Sequence, residues 1–105
     1  MGKSVHTESV DTFFDAVLSL RSREECYTFF EDVCTVNELL SLAQRFEVAM
    51  MLMDKKTYIE IAQKTGVSTA TISRVNRSLN YGNNSYELVA ERIRNQSRPD
   101  EDTQN

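Results

Sequence analysis

The sequence predicts an all-α chain of six helices organised around a helix-turn-helix. Three observations carry that expectation. Glycine and proline number only 3 and 1 in 105 residues, too few for the turns of a β-rich domain. Apolar residues recur at helical spacing along most of the chain. The run Thr57 to Leu79, TYIEIAQKTGVSTATISRVNRSL, reads as two short helices joined by a tight turn.

Taken in order, residues 1–7 are polar and expected to be frayed. Val10, Phe13, Phe14, Val17 and Leu18 then follow the i, i+3, i+4, i+7, i+8 rule of an amphipathic helix. Ser22 and Glu25 have capping-box spacing and open a second helix carrying Cys26, Tyr27, Phe29, Phe30 and Val33. Thr35 and Glu38 repeat the signature and start the longest helix, Val36 to Asp54. Its apolar residues, among them Leu39, Leu42, Phe46, Met50 and Met53, occupy more than one face. A helix apolar around most of its circumference must be covered on most sides. Two short flanking helices in so small a chain cannot supply that cover, so the pattern predicts a homodimer.

In the fourth helix, Thr57 and Glu60 form a capping box, and Ile61 and Ala62 face inward, Ala62 being small enough for a close crossing. Gly66 sits where the chain must turn through a left-handed conformation. Val67 buries the turn and Ser68 restarts a helix as its N-cap. Ile72 and Val75 fall on the inner face of that fifth helix, leaving Thr69, Ala70, Thr71, Ser73, Arg74 and Arg77 outside. One position departs from the pattern, since Thr65 stands where an apolar residue is more usual. Asn80-Tyr81-Gly82-Asn83 then breaks the periodicity, and Asn84 with Glu87 opens a sixth helix bearing Tyr86, Leu88, Val89 and Ile93. The helical domain thus spans 8–95, and residues 96–105 read as a disordered acidic tail.

The net charge of −4 does not argue against a nucleic-acid partner, because it is unevenly spread. Met1 to Asp54 holds 4 basic and 10 acidic residues, whereas Lys55 to Arg94 holds 7 basic and 3 acidic. Charges screen over roughly 10 Å, so the basic segment attracts phosphate while the acidic parts face away. A helix-turn-helix places its second helix in the DNA major groove, which makes double-stranded DNA the expected partner. Ser68, Thr69, Ala70, Thr71, Ser73, Arg74 and Arg77 are the candidate contacts, with Lys55, Lys56 and Lys64 positioning the protein on the backbone.

Other classes find little support. The lone histidine, His6, lies in the frayed start, with no nucleophile-base pair, metal-ligand cluster or phosphate loop, so no enzyme and no metal is expected. No apolar run nears the roughly 18 residues of a membrane span. Cys26 and Cys34 on one helix stand about 12 Å apart in rise, too far for a disulfide, and a reducing cytoplasm is expected. The competing functional reading is a protein-interaction module that keeps the helix-turn-helix shape without specific DNA binding.

Thr35 to Asn80 resembles the Trp-repressor superfamily, and the whole chain is most similar to its YerC/YecD-like branch of bacterial TrpR-like proteins. The resemblance rests on TVNELLSLAQRFEVAMML and on the TATISRVNRSLNYG run, and it covers roughly residues 8 to 95. It implies an intertwined homodimer that represses transcription from a palindromic operator. In helix-turn-helix dimers, the Trp repressor among them, two recognition helices about 34 Å apart meet successive major grooves. It also implies that Thr69, Ala70 and Thr71 begin the recognition helix, where direct and water-mediated base contacts are made.

The same resemblance implies an effector site. Arg45 and Arg74 match two arginines that sandwich an indole in the Trp repressor, with Thr35 nearby; planar guanidinium groups stack well on a flat ligand. The residue after the second arginine is glycine there and Val75 here. Its isopropyl group obstructs an indole, so the expected co-repressor is a small molecule other than tryptophan, of unknown identity, or none.

Overall fold

The computed structural model describes residues 4–96; Met1 to Lys3 and residues 97–105 of the expected tail lie outside the described residues, and Gln96, read as the start of that tail, is helical. Six helices and no strand are found among the described residues. The chain falls into two compact units that divide after Leu39.

In the first unit, α1 (Glu8–Leu18) is capped by Thr7, whose hydroxyl accepts from the Val10 N–H at 3.1 Å. Glu8 and Asp11 in the first turn favour the positive end of the helix dipole. The second helix, α2 (Arg23–Val33), is capped by Ser22, which accepts from the Glu25 N–H at 3.1 Å. The expected reciprocal bond differs, because the Glu25 carboxylate accepts from the Arg21 N–H at 2.8 Å rather than from Ser22. Ser22 is more extended (φ −151°) than a box-forming cap such as Thr57 (φ −78°), which turns its own N–H away from the carboxylate. Phe13 lies at the centre of an aromatic group, 5.9 Å from Phe14, 6.0 Å from Phe29 and 6.4 Å from Phe30 between centroids. No residue of α1 or α2 is buried.

Cys34 lies just past α2 as its C-cap rather than within it, and both cysteines are free. Thr35 and Glu38 form the expected reciprocal bonds at the start of α3 (Val36–Met53), at 2.9 and 3.1 Å. That helix begins in the first unit and continues through the second. It ends without glycine. Lys55 takes a left-handed φ of 65°, and the Lys56 N–H reaches back to the Met51 carbonyl at 3.0 Å. This six-to-one bond is the mark of a Schellman closure.

The second unit holds the core. α4 (Tyr58–Thr65) carries the complete Thr57–Glu60 capping box. Gly66 follows at φ 77°, its N–H bonded to the Ala62 carbonyl at 2.8 Å. Then come α5 (Thr69–Tyr81) and α6 (Ser85–Gln96). Val48 and Ala49 of α3, Ile61 of α4, and Ile72 and Val75 of α5 form one buried cluster. Tyr58, Ala62, Val67 and Tyr86 close over it, so α3 is the platform on which the helix-turn-helix stands.

The approach to α6 differs in detail from the expected one: α5 runs on through Asn80 and Tyr81, which read in the sequence as part of the breaker. Asn84 immediately precedes α6 as expected, and its carbonyl accepts from the Leu88 N–H at 3.3 Å, but its backbone is left-handed (φ 61°) where Thr57 and Ser68 are extended. Gly82 ends α5 as expected, but with φ −94°, not in the left-handed region. Its need for glycine is steric: a Cβ there would run into the backbone carbonyl of Ser78.

Candidate nucleic-acid interface

The turn between α4 and α5 is fixed by polar contacts as well as by Gly66. Thr65, the residue out of pattern, donates its hydroxyl to the Ile61 carbonyl at 2.7 Å and accepts from the Val67 N–H at 3.3 Å. An apolar residue would leave that amide without a side-chain partner. From α3, the Gln44 amide donates to the Thr65 carbonyl at 3.4 Å, tying the end of α4 to the platform. Ser68 then caps α5, accepting from the Thr71 N–H at 3.2 Å.

On α5, Thr69, Ala70, Ser73, Arg74 and Arg77 are exposed, while Ile72 and Val75 beneath them are buried. The helix therefore presents two hydroxyls, a methyl and two guanidinium groups on one rigid surface. Short side chains at its first turn allow close approach, and its dipole and free N–H groups favour an anion there. Arg74 and Arg77 are long donors, of the kind that base edges and phosphates accept from.

Three candidate positions have local partners, of which only the capping role of Ser68 was legible in the sequence. Thr71 is half-buried, and its hydroxyl accepts from Ser68 Oγ at 3.3 Å. Ser68 thus directs its hydroxyl at its own helix. Lys64 is paired with Glu47 of α3, Nζ to Oε2 at 3.5 Å, with both groups substantially exposed. Such an exposed pair is worth little, roughly 0–1 kcal/mol, so phosphate can displace the carboxylate. Lys55 and Lys56 stand exposed at the bend after α3.

Arg45 and Arg74 line one small cavity, together with Thr71, Val75, Ser78 and Tyr86. Its volume is about 190 Å³, below the roughly 300–1,000 Å³ of ordinary small-molecule sites. Val75, only 3 % exposed, forms its wall where a glycine would leave room. Thr35 belongs to the first unit, where its hydroxyl caps α3. Sequence reasoning missed Ser78 and Tyr86 as lining residues; Ser78, one turn beyond Arg74, was recoverable from helical spacing. It also missed a larger groove of about 460 Å³, bounded by Met50, Met51 and Met53 on α3 and by Ala90 and Arg94 on α6.

An exposed, hydroxyl- and arginine-bearing second helix on a glycine turn defines a helix-turn-helix. The model of the Trp repressor protein family matches residues 8–94, nearly the whole described chain. The chain belongs to that family, a family of DNA-binding regulators. It is 55 % identical over 87 residues to YerC of Bacillus subtilis, an uncharacterized protein, covering 83 % of this chain and 84 % of YerC. A TrpR-like protein from Eubacterium eligens has a solved structure with a TM-score of 0.83 and 63 % identity, covering 85 % of this chain and 92 % of that one. The structure of a candidate Trp repressor from Staphylococcus aureus gives a TM-score of 0.84 and 51 % identity, over 86 % and 90 % of the two chains.

Proposed function

We propose that this protein is a sequence-specific transcriptional regulator, a homodimeric repressor that acts in the cytoplasm and reads a palindromic operator through residues 68–79. The observation that carries the reading is the exposed face of α5. Arg74, Arg77 and Ser73 stand free over the buried Ile72 and Val75, within a chain of the Trp repressor family. Two copies double the phosphate contacts of a modestly basic module and match the two-fold symmetry of an operator.

The dimer is supported by apolar surface that one chain leaves uncovered. Leu18 is 81 % exposed and Val36 74 % exposed, and no side chain of α1 or α2 is buried. Val75, which walls the small cavity between Arg45 and Arg74, supports an effector other than tryptophan, or none. The chemistry that fits two guanidinium groups with the hydroxyls of Thr71 and Ser78 is that of a small anion.

Selection from a random duplex library, with and without a pool of common metabolites, tests the reading. The expected result is an enriched inverted repeat that the wild-type dimer binds and that Arg74→Ala and Arg77→Ala lose. A lost bidentate base contact costs about 1–3 kcal/mol. Enrichment only with the pool would establish ligand gating, and enrichment in both arms would make binding effector-independent. No enrichment by a folded dimer would replace the DNA reading with a protein-interaction module.

A further inference from the structure

Tyr81 is the last residue of α5 and is 85 % exposed, more than any other large apolar side chain among the described residues. It has no place in the core. Its position on the helix is not arbitrary, however. Tyr81 lies four residues beyond Arg77, seven beyond Arg74 and eleven beyond Ala70. At 100° per residue these four side chains fall within about 40° of one line along the helix. Buried Ile72, nine residues earlier, lies on the opposite side. The phenol therefore extends the same surface that carries both arginines.

The end of α5 also fixes where the ring stands. Gly82 packs so closely on the Ser78 carbonyl that no other residue fits, and the helix stops with Tyr81 as its final residue. Ala70 and Tyr81 are about 16 Å apart along the axis. The major groove is only about 12 Å wide. For a helix that enters the groove N-terminus first, with its first turn at base edges, the far end therefore stands at the sugar-phosphate rim. A tyrosine hydroxyl is a phosphate donor of the kind that sets register without reading sequence.

We infer that Tyr81 is a DNA-backbone contact, its hydroxyl donating to a phosphate oxygen at the edge of the groove read by α5. This rests on the DNA-binding reading above. The test uses the full-length dimer and a duplex enriched from the random library. Tyr81→Phe, which removes only the hydroxyl, is expected to lower affinity about tenfold, the effect of one hydrogen bond to a charged group. The loss should be equal on the selected duplex and on its single-base variants. The slope of log affinity against log salt should not change, because a neutral phenol releases no counterion. Arg77→Ala, by contrast, should flatten that slope by about 1 if Arg77 meets a phosphate. Wild-type affinity in Tyr81→Phe overturns the inference while leaving DNA binding intact, as does a loss confined to one base pair. A Tyr81→Phe chain with a changed oligomeric state also overturns it. Failure of the wild-type protein to bind any duplex removes the DNA reading itself.

Discussion

Two glycines close two helices for different reasons, and substitution separates them. Gly66 has φ 77° and open space where a Cβ would project, so the constraint is purely conformational. Gly66→Ala should cost about 1–2 kcal/mol, and Gly66→Asn less, because asparagine tolerates the left-handed region. Gly82 has an ordinary negative φ and a carbonyl in the way, so Gly82→Asn should be no better than Gly82→Ala. Urea unfolding of the four variants would give this pattern, and an equal cost for Asn and Ala at position 66 would contradict it. The first glycine was legible from sequence because its turn is a local motif. The second was placed correctly without its cause, which lies in the carbonyl of a residue four positions back. Glu60 supplies a pH-dependent counterpart. The Thr57 backbone N–H holds its carboxylate below its usual pKa, partly opposed by desolvation, with lesser help from the Thr57 hydroxyl and Lys56. A group depressed in the folded state stabilises above its unfolded pKa and loses that contribution as pH falls through the folded one. Stability should therefore drop on acidification through and below the ordinary carboxylate range, and Glu60→Gln should flatten that part of the curve.

At the scale of elements, the caps of α2, α3, α4 and α5 were readable because each depends on side chains within three residues of one another, whereas Thr7, read as part of the frayed start, went unrecognised as the cap of α1. What could not be read is non-local. Lys64 meets Glu47 across 17 residues, and Gln44 reaches the end of α4 across 21. The end of α3 gives a sharper case. The sequence offers no glycine at its close, yet the backbone makes a Schellman turn with Lys55 at φ 65°. Lys55→Gly should relieve the left-handed strain and stabilise the fold by up to about 1 kcal/mol. If Lys55 also meets a phosphate, the same variant should bind DNA more weakly with a salt slope shallower by about 1. A more stable protein with unchanged DNA binding would leave Lys55 with only a structural role.

At the scale of the whole molecule, the buried cluster draws on α3, α4 and α5, while α1 and α2 contribute no buried side chain. Helices with apolar stripes do not persist in water unless those stripes are covered. The excess of apolar residues on α3 was legible in the sequence; which positions stay open was not, since that depends on how six helices use one another. Leu18 offers the discriminating substitution. On a monomer, a side chain 81 % exposed should accept Leu18→Glu within about 0.5 kcal/mol. If a second copy covers it, the new carboxylate must be buried without a partner, at a cost of several kcal/mol. Sedimentation of the wild-type protein at micromolar concentration should then give twice the 12.1 kDa chain mass, with a melting temperature that rises with concentration. Leu18→Glu should shift the mass towards a single chain and remove that concentration dependence. A wild-type chain that sediments at 12.1 kDa and tolerates Leu18→Glu would refute the dimer and, with it, a palindromic operator.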